Sequence, residues 1–168
     1  MIREHARRAP AQDCLVAIDQ NTALTWRQLY RLTNKLSAWL QAQGIGANDR
    51  ILVLTDNSLE NLILYFGIQR HGATFCTVNV DINAHHMREI IDRLAPKIVL
   101  WHDALDLSEI RQTALGTWVS FGTADPDGAT ATDGGLFEAL NAFDGDAEPD
   151  EVSTENDAAV ICFTSGTS

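Results

Sequence analysis

Residues 49–78 read DRILVLTDNSLENLILYFGIQRHGATFCTV, and this stretch decides the fold class. Residues 51–54 are wholly apolar, as a short strand buried on both faces should be. Asn57 or Ser58 then suits a helix N-cap, and loss of an Asn57 cap should cost about 1 kcal/mol. Leu59, Leu62, Ile63 and Phe66 follow at helical spacing until Gly72, and residues 73–78 are strand-like again. Strand, helix and strand in succession form a βαβ unit, which implies a right-handed crossover and parallel pairing.

The same alternation extends outward. Upstream, Thr25 and Gln28 have the spacing of a capping box, and Leu29, Leu32, Leu36 and Leu40 recur at helical period up to Gly44. Downstream, residues 84–94 read as a helix stopped by Pro96, and 97–101 as a strand. The fold class is therefore α/β, a mostly parallel sheet with helices on both faces. Past Trp101 the pattern weakens. Residues 105–115 read as a helix, 117–121 as a strand, 122–135 as loop and 136–143 as a short helix. The region 123–157 as a whole reads as an acidic loop or linker. Residues 158–163 form a last buried strand running into Thr164, Ser165, Gly166, Thr167 and Ser168. There is no internal repeat.

Composition bounds the function. With 168 residues, 45% of them hydrophobic, the chain can bury roughly two-thirds of its unfolded surface, which excludes general disorder. No apolar run approaches a membrane span. The charged start (Arg3, Glu4, Arg7, Arg8) lacks the apolar core of a secretory signal, so a soluble, cytoplasmic protein beginning with an ordinary helix is expected. Residues 1–111 hold all 12 Lys and Arg and 12 of the 23 acids, so the whole net charge of −11 falls in residues 112–168. That balance disfavours nucleic acid or an anionic membrane as partner. The acidic run is either a solvated linker or a surface facing bases from outside this chain. Cys14, Cys76 and Cys162 lack metal-ligand spacing and read as reduced core thiols. His85 and His86 are adjacent, so a helix points them apart; they suit an exposed helix start better than a metal site. Trp26, Tyr30, Trp39, Tyr65 and Phe66 read as core or helix-face residues; Asp56 and Asn57 lie at a strand end that could face a cleft, though capping is the simpler role for Asn57.

A strand followed by a Thr/Ser/Gly loop suits phosphate, because hydroxyls donate hydrogen bonds and Gly166 lets successive backbone N–H groups converge on one anion. It is not a Walker loop, which needs G-x-x-x-x-G-K-[ST]. Nor do Gly44-Ile45-Gly46 make a dinucleotide fingerprint, since these glycines precede a strand instead of following one.

The letters at 159–168, AVICFTSGTS, resemble the phosphate-loop signature of the AMP-forming acyl-CoA synthetase and adenylate-forming ligase superfamily, aromatic-Thr-Ser-Gly-Thr-[Thr/Ser]-Gly-x-Pro-Lys. Upstream, LTWRQL (24–29) resembles the family's LTYxEL, NKLSAWL (34–40) its NxLAxxL, and GIGANDRI (44–51) its GVGxGDRV. NSLE (57–60) resembles NSxE, HGATF (71–75) resembles AGAxY, and Asn79 falls where acyl-CoA ligases commonly carry Asn. Each fragment is common alone, and their collinearity over the chain is what identifies the family. Departures are Thr77 and Val80 in place of prolines, and Asn48 in place of the Gly before Asp49.

The resemblance implies the first subdomain of the large N-terminal domain of an adenylate-forming enzyme. It implies a parent that converts a small-molecule carboxylic acid with ATP and Mg²⁺ into acyl-AMP and transfers the acyl group to coenzyme A, as in fatty acid metabolism. Thr164, Ser165, Gly166, Thr167 and Ser168 would then hold ATP phosphates as positioning groups, and no catalytic or metal-ligating residue is assigned. Because Ser168 falls inside the motif, the chain is expected to be a truncated fragment, inactive alone and prone to self-association through its unfinished sheet. The alternatives are part of an amino-acid-activating adenylation domain, or a non-catalytic binding or assembly module.

Overall fold

The computed structural model describes residues 1–111, 116–124, 135–150 and 153–163. Helix α1 (Ile2–Arg8) precedes a hairpin of β1 (Asp13–Ala17) and β2 (Thr22–Thr25), which pair antiparallel. Next come α2 (Trp26–Ala42), β3 (Arg50–Leu54), α3 (Leu59–His71), β4 (Thr74–Thr77), α4 (Ala84–Leu94) and β5 (Ile98–His102). A short α5 (Ser108–Arg111), β6 (Thr117–Phe121), α6 (Leu136–Ala139) with a 3-10 turn at Leu140–Ala142, and β7 (Val160–Cys162) complete the order.

Local chemistry sets the helix ends. Thr25 and Gln28 form the reciprocal capping box at α2, with Thr25 N–H donating to Gln28 Oε1 (2.9 Å) and Gln28 N–H to Thr25 Oγ1 (3.3 Å). At α3 the cap is Ser58 and not Asn57. Ser58 is the extended residue directly before the helix, so its Oγ receives the Asn61 N–H (3.2 Å), which Asn57, one residue earlier, does not do. Gly72 ends α3 at φ +89°, a left-handed turn in which a side chain would be strained. Asn83 caps α4 through the His86 N–H, leaving His85 and His86 exposed on its first turn.

The five-stranded sheet runs β6-β5-β3-β4-β7 with every pair parallel. β3 alternates between two cores. Ile51 and Val53 pack with Phe75, Ile98 and Leu100 beneath α2 and α3, while Leu52 and Leu54 join Cys76, Val99, Met87 and Ile91 beneath α4. Trp39 is buried in the first core, with Trp26, Tyr65 and Phe66 partly buried against it.

Three expectations need correction. The helix expected over 105–115 is seen over Ser108–Arg111. Asp106 accepts hydrogen bonds from the Ser108 N–H and hydroxyl and so marks its start, and residues 112–115 lie outside the described ones. Among the described residues the last strand is not buried: β7 has three residues, pairs with β4, and leaves Val160 and Cys162 exposed. Among the thiols only Cys76 is buried, and burial pushes it up to about 11; Cys14 is half-buried and Cys162 is exposed.

The acidic stretch meets bases that this chain itself supplies. Leu136, Phe137 and Leu140 enter the first core, and buried Asn34 donates to the Gly145 carbonyl (2.8 Å). A Cβ at Gly145 would lie 2.8 Å from Arg31 Cβ, so glycine permits this close approach to α2. Glu148 then takes the Arg3 Nε–H (2.8 Å) and the Tyr30 hydroxyl (2.8 Å), and Asp146 pairs with Arg31 (3.6 Å). Among the described residues, no helix is long and apolar enough to cross a membrane.

Two outcomes follow from these contacts. Ser58→Ala should lose about 1 kcal/mol in urea denaturation, whereas Asn57→Ala should stay within about 0.5 kcal/mol of the parent. The Tyr30 hydroxyl first, with Arg3, Arg7 and Arg70 adding to it against the opposing effect of desolvation, holds the Glu148 carboxyl below the ordinary glutamate range. A depressed value means that the α1 attachment is present above that range and lost as pH falls through the depressed value. In an NMR titration the α1 amides should therefore show a low-pH inflection, and Glu148→Gln should abolish it.

Candidate functional site

The order of the strands creates the site. After β3 the chain turns into α3, on the face of the first core, and moves outward to β4. After β4 it turns into α4, on the opposite face, and returns to β5 on the far side of β3. The connections leaving β3 and β4 thus diverge to opposite faces, and a crevice opens between their carboxyl ends. This is the switch point at which open α/β sheets bind ligands.

A cleft of about 320 Å³ occupies that position, walled by Thr55, Asp56, Asn57 and Asn61 after β3 and by residues 77–81 after β4. Phe163, the last described residue beyond β7, closes one side. The walls are mainly neutral and polar. Asn79 accepts the Asp81 N–H (2.9 Å), so its amide shapes the turn after β4. Asn61 Oδ1 is buried without a hydrogen-bond partner, which leaves an unused acceptor at the cleft wall. A neighbouring groove of about 510 Å³, bordered by exposed Val16, Ile18 and Leu62, shares Asn57 and Asn61 with it.

Thr164, Ser165, Gly166, Thr167 and Ser168 lie outside the described residues. The structure does bring Phe163, directly before them, to the cleft. Asp56 faces this cleft, and so does Asn57, which does not cap α3. Sequence reasoning missed Thr55, Asn61, Thr77 and Asp81, because no local pattern marks them; only the order of strands in the sheet does. Asp56 and Asp81 are acidic, and no Lys or Arg lines the cleft among the described residues. These walls by themselves do not fit a triphosphate, whose charge needs cations or many N–H donors. No group of three or more His, Cys, Asp or Glu side chains that could hold a metal occurs among the described residues.

Known proteins share this arrangement. The chain is 28% identical over 172 aligned positions to long-chain-fatty-acid–CoA ligase FadD13 of Mycobacterium tuberculosis H37Rv, covering 99% of this chain and 32% of the ligase. It is 25% identical over 159 positions to the beauvericin nonribosomal cyclodepsipeptide synthetase of Beauveria bassiana, covering 94% of this chain and 5% of the synthetase. Among solved structures, Mycobacterium tuberculosis fatty acyl CoA synthetase superposes with a TM-score of 0.79 at 25% identity, over 98% of this chain and 32% of that one. The chain thus spans about a third of the ligase's length and far less of the cyclodepsipeptide synthetase's. The profile of the AMP-binding enzyme family matches residues 2–168, the hairpin, both helical layers and the cleft included, and the chain belongs to that family.

Proposed function

We propose that these residues form the amino-terminal portion of a cytoplasmic, ATP-dependent ligase that activates a carboxylic acid as its acyl-AMP and passes the acyl group to coenzyme A. The observation that carries this reading is the cleft at the β3/β4 switch point, with Phe163, the residue directly before the Thr/Ser/Gly stretch, on its wall. Similarity to FadD13 along almost the entire chain supports an acyl-CoA ligase. Similarity to a nonribosomal cyclodepsipeptide synthetase keeps amino-acid activation as the second reading, in which a different acceptor takes the acyl group.

The contribution of this chain is positional. ATP, with Mg²⁺, supplies the adenylyl group and the pyrophosphate leaving group. The hydroxyls of Thr164, Ser165, Thr167 and Ser168 and the backbone at Gly166 donate hydrogen bonds to the β- and γ-phosphates. They take no part in proton transfer, because an unperturbed hydroxyl titrates far from neutrality. The amides and hydroxyls of the cleft wall orient the bound molecule, while Asp56 and Asp81 add negative charge that the bound phosphates need cations to offset. The positive charge that this step requires is absent from the last third of the sequence, which has no Lys or Arg after Arg111.

The complete protein containing these residues should catalyse carboxylic-acid-dependent exchange of labelled pyrophosphate into ATP, and coenzyme A should discharge the intermediate as an acyl thioester. Exchange with amino acids and no discharge by coenzyme A would select the second reading. Absence of exchange across fatty, aryl and amino acids would overturn both. The 168-residue chain alone should show no exchange, since it lacks the cation.

A further inference from the structure

Glu60, the second residue of α3, is 1% exposed although its side chain ends in a carboxylate. Burying that group is costly unless its oxygens are hydrogen-bonded, and both are. Oε2 accepts from Gln20 Nε2 (2.9 Å) in the turn between β1 and β2, and Oε1 accepts the Ala124 N–H (2.9 Å) beyond β6. Gln20 also returns to the same helix, because its Oε1 accepts the Leu59 N–H (2.8 Å). That N–H is one of the amino-terminal donors for which a helix has no partner of its own, and the Ser58 hydroxyl takes another, that of Asn61 (3.2 Å). The first turn of α3 is thus fastened to segments 40 and 64 positions away in the chain.

The same turn carries part of the cleft wall. Asn57 precedes the Ser58 cap, Asn61 follows Glu60, and both amides border the cleft and the neighbouring groove. Successive helix residues point about 100° apart, so Glu60 reaches into the protein while Asn61 fronts the cleft. A glutamine at position 60 would not do the same. Its oxygen could still meet the Ala124 N–H, but its NH₂ would then face the Gln20 NH₂. Turning the Gln20 amide over would only set that NH₂ against the Leu59 N–H. A carboxylate, with acceptors on both oxygens, satisfies both segments at once.

We propose that Glu60 is a positioning residue whose carboxylate ties the β1–β2 turn and the segment after β6 to the first turn of α3, and so fixes Asn57 and Asn61 on the wall of the cleft. It touches no bound molecule and acts through the helix. The effect on ATP rests on the reading of the cleft given under Proposed function; the effect on the helix start does not.

The test compares the complete protein with its Glu60→Gln variant and, because a buried substitution can unfold a protein, with Gln20→Ala at an exposed position. Each should raise the KM for ATP about fivefold, the worth of one ordinary hydrogen bond, and leave kcat within about twofold, as loss of contacts made equally before and during the reaction does. Exchange of the Asn61 amide with solvent should quicken in both variants, although neither removes its own bond to Ser58. Gln20→Glu combined with Glu60→Gln swaps donor and acceptor while keeping one oxygen for the Leu59 N–H and another for the Ala124 N–H, and should restore both values. A lowered melting temperature with unchanged KM and unchanged Asn61 exchange would make Glu60 merely structural and overturn the proposal, as would a double variant no better than Glu60→Gln. If the parent shows no acid-dependent exchange of pyrophosphate, the functional reading fails on its own. Asn61 exchange in the same proteins then still decides whether Glu60 holds the helix start, which equal rates would overturn.

Discussion

Everything in this molecule is arranged around the burial of β3 on both faces. Ile51, Leu52, Val53 and Leu54 are each fully buried, which a strand can achieve only inside a sheet covered twice. α2 and α3 cover one face and α4 with α5 the other, so the chain must leave β3 and β4 in opposite directions. The crevice between those two departures is a geometric consequence of the burial. The cleft was not built separately from the core; the core leaves it open.

Buried polar groups then tie the irregular segments to this frame. His71 lies between the Ser37 hydroxyl (3.1 Å from Nδ1) and the Ile45 carbonyl (2.9 Å from Nε2). A carbonyl only accepts, so Nε2 carries a proton and donates to Ile45. Glu60 accepts from Gln20 in the β1–β2 turn and from the Ala124 N–H after β6, joining two distant loops at the start of α3. Asn34 accepts from Arg70 and donates to Gly145. Each network costs desolvation and returns it through complete pairing, so it fixes position more than it adds stability. Asn61 Oδ1, unpaired at the cleft wall, departs from that pattern at the place where a ligand would arrive.

Helix caps and one loop asparagine show how far local pattern carries. The Thr25–Gln28 capping box and the limits of α4 were legible because they depend on neighbours a few positions away. Ser58 displaced Asn57 as the cap because the choice depends on which residue directly precedes the first helical turn, a distinction below the resolution of spacing. Asn48 was legible only as a departure from a family glycine. That its amide reaches Asp157 and Ala158, more than a hundred positions along the chain, is a long-range fact.

The amino-acid sequence alone was enough for the α/β class, for most of the elements up to residue 102 and, through the collinear motifs ending at Ser168, for the family. These are written in periodicity, caps and ordered motifs, all of which are local or additive along the chain. Tertiary structure decided that β7 pairs with β4, that the acids at 146 and 148 are paired with Arg31 and with Arg3 and Tyr30, and that Thr55, Asn57, Asn61 and Asn79 share one cleft. The reason is physical. Strand order and ion-pair partners follow from closing loops tens of residues long, and the energies that select one closure belong to contacts absent until the chain has folded.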